Sequence, residues 1–402
     1  MATKKVCAVI GAILLGLAAG GRAEVQVNSY VQHNQTGTAV AMNDSGNFVV
    51  VWRSHLADGR GGGVFGRTFT ADGTPSSEEF KVNLSTVDVD GWHPVVAMDP
   101  SGGFVVVWVA RRAAGASTVA RVFGPEGQPL TDELQVGTAP DAVESGPSIA
   151  MNSTGAFVVA WTSWCDDGHL GRTYVSACVY DPDGSPVTDV FLVDDVPQGL
   201  WPDVAMDESG GFVTSWIRMG DTYNRPYGEY IMLRRYRPDG LAAGTAVQVT
   251  DNLNNRWYGP SVAGAPDGSF VLTWAVGPFP YNVWAQSFDA TGMPVTEPYL
   301  VNTSVQGNQG RPCIAGAAGQ DYLIVWDCDL LDGTACGVRA QFCTPNGAFV
   351  GDELVLTADG CGRQWYADAA MAADGRYVVV WVGDGQDGSG YGVFADVGPK
   401  QE

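Results

Sequence analysis

The stretch DPSGGFVVVW (residues 99–108) decides how the rest of the chain is read, because the chain keeps repeating it. NDSGNFVVVW fills residues 43–52, NSTGAFVVAW residues 152–161 and DESGGFVTSW residues 207–216. Each copy opens on Asx and Gly residues, which supply the backbone angles of a tight turn. Each then runs into a nearly continuous apolar segment, as expected of a strand covered on both faces. Aligned on the closing Trp, the copies mark Trp52, Trp108, Trp161, Trp216, Trp274, Trp326 and Trp381, 52 to 58 residues apart.

Self-similarity at this period points to a propeller or a solenoid. Every unit holds four strand-like pieces, shown by TAVAM, NFVVVW, GVFGRTF and EFKVN in the first, and four strands make a propeller blade. The last unit has only three pieces, AAMA, RYVVVW and YGVFADV, before the chain stops. A matching fourth piece, EVQVN, stands at residues 24–28 and resembles FKVN and YLVN. The N-terminal strand is therefore expected to complete the last blade and close the ring. The chain resembles the seven-bladed β-propeller superfold, and its repeated phrase looks like repeats of exported bacterial proteins. The resemblance implies an all-β fold of seven four-stranded antiparallel blades. Neither the Asp-box of sialidases nor the calcium-binding repeat of integrin-like propellers is present, and a superfold does not fix a function.

Residues 1–23 read as an export signal: Lys4 and Lys5, an apolar run over 6–20, and the small-residue site GRA with cleavage expected after Ala23. Residues 24–402 are then one propeller domain, secreted or periplasmic. No later stretch reaches the roughly 20 apolar residues a membrane helix needs. A formal net charge of -22 repels phosphate backbones, so nucleic acid is not an expected partner and membrane insertion is not expected. A monomer is expected.

Without Cys7, seven cysteines remain in a compartment that permits disulfides. Cys165 with Cys178 and Cys328 with Cys336 each flank a hairpin loop, and Cys313 with Cys361 is the third candidate pair, leaving Cys343. Free buried thiols are the alternative for all of them.

The repeat Trp residues are expected in the core between blades. A looser pattern on the third strand sets Arg67 before Phe69, Arg121 before Phe123 and Arg234 before Tyr236. Its recurrence along the scaffold favours bonding between blades over substrate contact. One face of the ring carries the uniform turns. The other carries loops of varied length and wording, where a rigid scaffold presents function. Those loops gather Trp92, His93, Trp164, His169, Trp201, Arg256, Trp257, Tyr258, Arg311, Arg363, Trp365 and Tyr366. Aromatic rings among Asp, Asn and Arg suit a sugar, whose faces stack while its hydroxyls bond. They suit a protein partner equally. Trp92, Trp201, Trp257 and Trp365, each just before a first strand, could instead plug the channel mouth.

Loop acids Asp88, Asp90, Asp166, Asp167, Asp203, Asp221 and Glu229 could supply a carboxylate pair, but no sequence spacing reports the separation that glycoside hydrolysis requires. No Gly-x-Ser-x-Gly elbow, His-Glu-x-x-His helix or phosphate-cradling loop occurs. DVDVDG and DGQDGSG are oxygen-rich as calcium loops are, without EF-hand spacing, so no cofactor is expected and Ca²⁺ is the one candidate. These observations favour an exported, non-catalytic binding module for carbohydrate or a surface protein. The alternatives are an extracellular glycosidase or polysaccharide lyase, and a structural spacer of a cell-surface assembly.

Overall fold

The computed structural model describes residues 23–55, 62–84, 93–112, 115–137, 143–165, 172–194, 196–220, 228–251, 258–277, 279–305, 307–316, 321–329, 335–357 and 363–400. Seven four-stranded antiparallel sheets stand in a ring, and no helix occurs among the described residues. Blade 1 is typical, with strands Gln35–Met42, Phe48–Ser54, Gly63–Phe69 and Phe80–Lys81. Its outer strand is short, which limits the unpaired edge the blade offers to solvent.

The repeated phrase does what its composition requires. In the turn after the first strand, Asn43, Asp99, Asn152 and Asp207 accept the backbone N–H two residues on at 2.7–3.1 Å. The glycine that follows takes a positive φ, +82° at Gly46 and +92° at Gly102, which other residues adopt at a cost. The second strand enters the packing between neighbouring blades, and all seven repeat Trp side chains are 3% exposed or less. On the third strand, Arg121 lies over the Phe123 ring and donates through Nε to Thr131 O of its own blade and through Nη1 to Val82 O of blade 1. Arg67 and Arg234 repeat this, reaching Val27 O and Val193 O. The repeated Arg is an interblade tie.

The ring closes as the repeat count demands. Ala23–Gln26 pairs antiparallel with Tyr391–Gly398, from Ala23 opposite Val397 to Gln26 opposite Phe394. Val27 N then donates to Val393 O, and Val393 N to Asn28 Oδ1 at 2.7 Å. The VN ending serves other blades in the same way, since Asn83 and Asn302 receive Val64 N and Val283 N. Val27 is fully buried in the cluster between blades 7 and 1, with Val40, Trp52 and Val393.

Two expected disulfides are corrected. Cys178 is a free, buried thiol opposite Val159, well down its strand, whereas Cys165 pairs with Arg172 beside the loop. Hairpin register therefore holds the two apart. Cys313 is also free, its thiol donating to Asp368 Oδ1 at 2.9 Å, so it does not pair with Cys361, which lies outside the described residues. Cys343, expected to be left over, is free and buried. Cys328 is not a free thiol. Its candidate partner Cys336 is a neighbour of Gly337, which stands opposite Cys328, but the Cys336 side chain lies outside the described residues.

Candidate functional site

The first strand of each blade lines the axis, and in five blades its register slips near the variable-loop end. The slips fall between Thr36 and Ala39, Ser145 and Ser148, Leu200 and Asp203, Gly310 and Cys313, and Trp365 and Asp368. Each is a β-bulge, and beyond it the chain pairs with the second strand again. Trp201 and Trp365 therefore sit inside the strands Gly199–Met206 and Gln364–Met371 instead of ahead of them. At the bulge stand Gly37, Gly146, Trp201, Arg311 and Tyr366, all with φ between +48° and +62°. His93 and Gly259 hold the same place in blades 2 and 5, fifteen residues before the repeat Trp in every unit. Three large residues are thus held in a left-handed conformation that costs about 1–3 kcal/mol each, a kind of strain that concentrates at functional sites.

Ring closure turns these equivalent positions into neighbours. The Arg311 guanidinium lies over two rings, 4.4 Å from the centroid of Tyr366 in blade 7 and 5.3 Å from that of Tyr258 in blade 5. His93 of blade 2 packs against Tyr366 of blade 7 with ring centroids 4.2 Å apart, although blade 1 stands between those blades around the ring. Glycine makes this possible, because a Cβ on Gly37 would come within 2.2 Å of His93 Nδ1. Likewise a Cβ on Gly259 would press on Trp201 at 3.0 Å.

Asp327, on the second strand of blade 6, holds the cluster together. It pairs with Arg311 at 3.1 Å and accepts Tyr366 N at 3.1 Å and Ala367 N at 3.3 Å. The bulge of blade 7 and the direction of Arg311 are thereby fixed by one carboxylate. Thr162 plays a similar part in blade 3, where its hydroxyl accepts Trp201 N. Two residues beyond Asp327, Asp329 pairs with Arg363, and Arg363 lies over Trp365 at 5.5 Å.

Burial and these neighbours set the protonation states. Desolvation, with the Arg311 and Arg53 charges, pushes His93 down to about 4, so its imidazole is neutral at neutral pH. Burial raises the Tyr258 phenol and keeps it a proton donor. Burial also raises Asp327 despite the opposing pull of Arg311. For Arg311, burial acts downward, yet Asp327 and the two phenols outweigh it and the guanidinium is held above its ordinary value.

Beneath this layer runs an inner ring of short polar side chains. Ser148 donates to Asp203, Asp203 accepts Val262 N at 2.8 Å, Ser261 accepts Ile314 N, Cys313 donates to Asp368, and Asp368 accepts Val40 N at 2.9 Å. Asp203, one of the loop acids expected to be available, is thus a buried link between blades, its carboxyl raised by desolvation. Glu229 is buried as well.

Of the residues singled out in the sequence, His93, Tyr258, Arg311, Arg363, Trp365 and Tyr366 come together here. Trp201 shares the ring position in blade 4, and Trp164 stands 45% exposed at the end of blade 3's second strand. Trp92, His169, Arg256 and Trp257 lie outside the described residues, as do Asp88, Asp90, Asp166, Asp167 and Asp221. Asp327 was not anticipated, nor was Tyr281, whose ring meets that of Tyr258 edge to face. The constant offset from the repeat Trp is the signal that could have found the ring, and a residue one past that Trp would have pointed to Asp327. In DGQDGSG, Asp387 accepts Ser389 N and an Asn28 amide hydrogen. Among the described residues no group of three or more His, Cys, Asp and Glu side chains is placed to hold a metal ion. No helix among them is long and apolar enough to cross a membrane.

No family model matches the chain, and no curated protein matches it. Solved structures do. A protein of unknown function from Dyadobacter fermentans DSM 18053 is similar over 93% of this chain and 97% of its own, with TM-score 0.54 and 12% identity. A PL25 ulvan lyase bound to a glucuronate–sulfated rhamnose unit is similar over 94% and 96%, with TM-score 0.55 and 10% identity. The GH93 α-L-arabinofuranosidase of Fusarium graminearum is similar over 78% and 95%, with TM-score 0.51 and 12% identity. At these identities the likeness is one of fold.

Proposed function

We propose that the chain is an exported carbohydrate-active enzyme, and that the mouth of its channel cleaves uronate-containing polysaccharide by elimination. The observation that carries this is Arg311, clamped between two phenols with a neutral imidazole against one of them. The similarity of carbohydrate-active propellers supports an enzyme over a binding module alone. The leader-like sequence of residues 1–23 supports export.

Each group has a task in such a reaction. A sugar carboxylate seated on Arg311 gains a planar, bidentate cation, and the proton on the adjacent carbon becomes easier to remove because the developing charge is stabilised. His93, neutral above about pH 4, accepts that proton. The bond from the next carbon to the glycosidic oxygen then breaks, its electron pair leaves with the oxygen, and Tyr258 supplies the proton. A carbon–carbon double bond forms on the uronate, and no water is consumed. Asp327 does no chemistry; it positions Arg311 and the blade 7 bulge. Among the described residues, the carboxyls of Asp327 and Asp329 beside the cluster are each taken up by an Arg, which favours elimination over hydrolysis by paired carboxyls there.

The test is to incubate residues 24–402 with pectate, alginate, hyaluronan and ulvan while following both new reducing ends and the ultraviolet absorbance of the unsaturated uronate. Both should rise together, and Arg311→Ala or His93→Ala should abolish the rise. New reducing ends without the chromophore would mean hydrolysis. Saturable binding with neither product would return the chain to a binding module.

A further inference from the structure

The aromatic residues do not stop at Arg311. On the blade 5 side, Tyr258 meets Tyr281 edge to face at 6.3 Å, and Tyr281 meets Phe279 in the same way at 5.9 Å. Phe279 is 63% exposed, a large apolar ring left in water at the end of a line leading to the guanidinium. On the blade 7 side, Tyr366 adjoins Trp365 at 6.4 Å, and Trp365 meets Tyr391 at 4.9 Å with Arg363 above it. Rings therefore continue from the cluster in two directions, over three blades.

We infer that these two arms are subsites for the sugars on either side of the reacting uronate, so that the site takes the interior of a polysaccharide chain and not its end. The inference rests on the elimination reading and extends it to the length and placement of the substrate. Rings offer a face to each pyranose, and their spacing along the line suits a ligand that is itself a row of rings. Arg363, 63% exposed at its side chain and joined to Asp329, stands over Trp365 where a second carboxylate or sulfate on a neighbouring sugar would meet a cation. A site built for a chain end would have no use for an arm on each side of Arg311.

The test is calorimetric titration of residues 24–402, under conditions where turnover is blocked by Tyr258→Phe, with di-, tetra- and hexasaccharides prepared from pectate, alginate, hyaluronan and ulvan. Affinity should rise with length for at least one series. Phe279→Ala should then cut hexasaccharide affinity about three- to tenfold and narrow its advantage over the disaccharide, with Phe279→Trp restoring it. Digestion by the unaltered chain should release mid-length oligosaccharides before disaccharide. Affinity independent of length, or a hexasaccharide advantage untouched by Phe279→Ala and Trp365→Ala, would overturn the two-armed site while leaving the elimination reading in place. Failure of every length in every series to bind would overturn both.

Discussion

Ring closure by the N-terminal strand makes a quantitative prediction for the double variant Val27→Ala, Asn28→Ala. Val27 is fully buried between blades 7 and 1, and losing its two methyl groups costs about 2 kcal/mol once the cavity is included. Asn28 receives Val393 N at 2.7 Å in a buried setting, and leaving that N–H without a partner costs about 1–3 kcal/mol. The pair should therefore lower stability by about 3–5 kcal/mol, a large part of the roughly 5–15 kcal/mol that a folded domain has. An internal control exists, because Val82 and Asn83 make the same contacts in blade 1. There the strand is tethered to the ring at both ends, so Val82→Ala, Asn83→Ala should cost as much without exposing a chain end. Urea denaturation read by Trp fluorescence gives the midpoint shift, and limited proteolysis reports release of the N-terminal strand. A midpoint shift worth less than about 1 kcal/mol for the closure variant, at constant slope, would refute this account of what holds the ring shut.

Other outcomes follow from the site and the scaffold. His93 is held at about 4 against 6.5 when unfolded, so between those values the unfolded chain binds a proton that the fold refuses, and stability should fall as pH drops through that window. The melting difference between the unaltered chain and His93→Gln should therefore change sign or shrink below pH 6.5, and a flat difference would show that His93 is not desolvated. Asp203 acts oppositely: its raised carboxyl keeps a proton that the unfolded chain releases above 3.8, so stability should fall as pH rises through its folded value, and Asp203→Asn should flatten that decline in a pH series of melts. Arg121→Met should cost about 2–3 kcal/mol by removing two hydrogen bonds to carbonyls while leaving oligosaccharide binding as it was. Mass mapping of unreduced peptides should find Cys178, Cys313 and Cys343 as thiols and Cys328 linked to Cys336; a Cys328 thiol would remove that pairing.

The sequence by itself determined the ring. Strand, turn and burial are local properties, so a phrase such as FVVVW after an Asx–Gly turn carries its structure wherever it stands, and seven copies carry it seven times. The missing fourth strand at one end and the spare one at the other even settled closure, since VQVN has the Val and the Asn that also end the outer strands of blades 1 and 5. Only the tertiary structure decided the site. His93, Tyr258, Arg311 and Tyr366 come from four blades; three of them share the offset of fifteen residues from their repeat Trp, but nothing local brings them into contact, and they meet because the ring closes. The same holds for Asp327, which looks from the sequence like one more strand residue and becomes the support of Arg311 only when blade 7 presents two unpaired N–H groups beside it. The cysteines fail for the same reason in reverse. Cys165 and Cys178 are close in sequence, but hairpin register, which depends on where the loop falls, leaves them on different rungs.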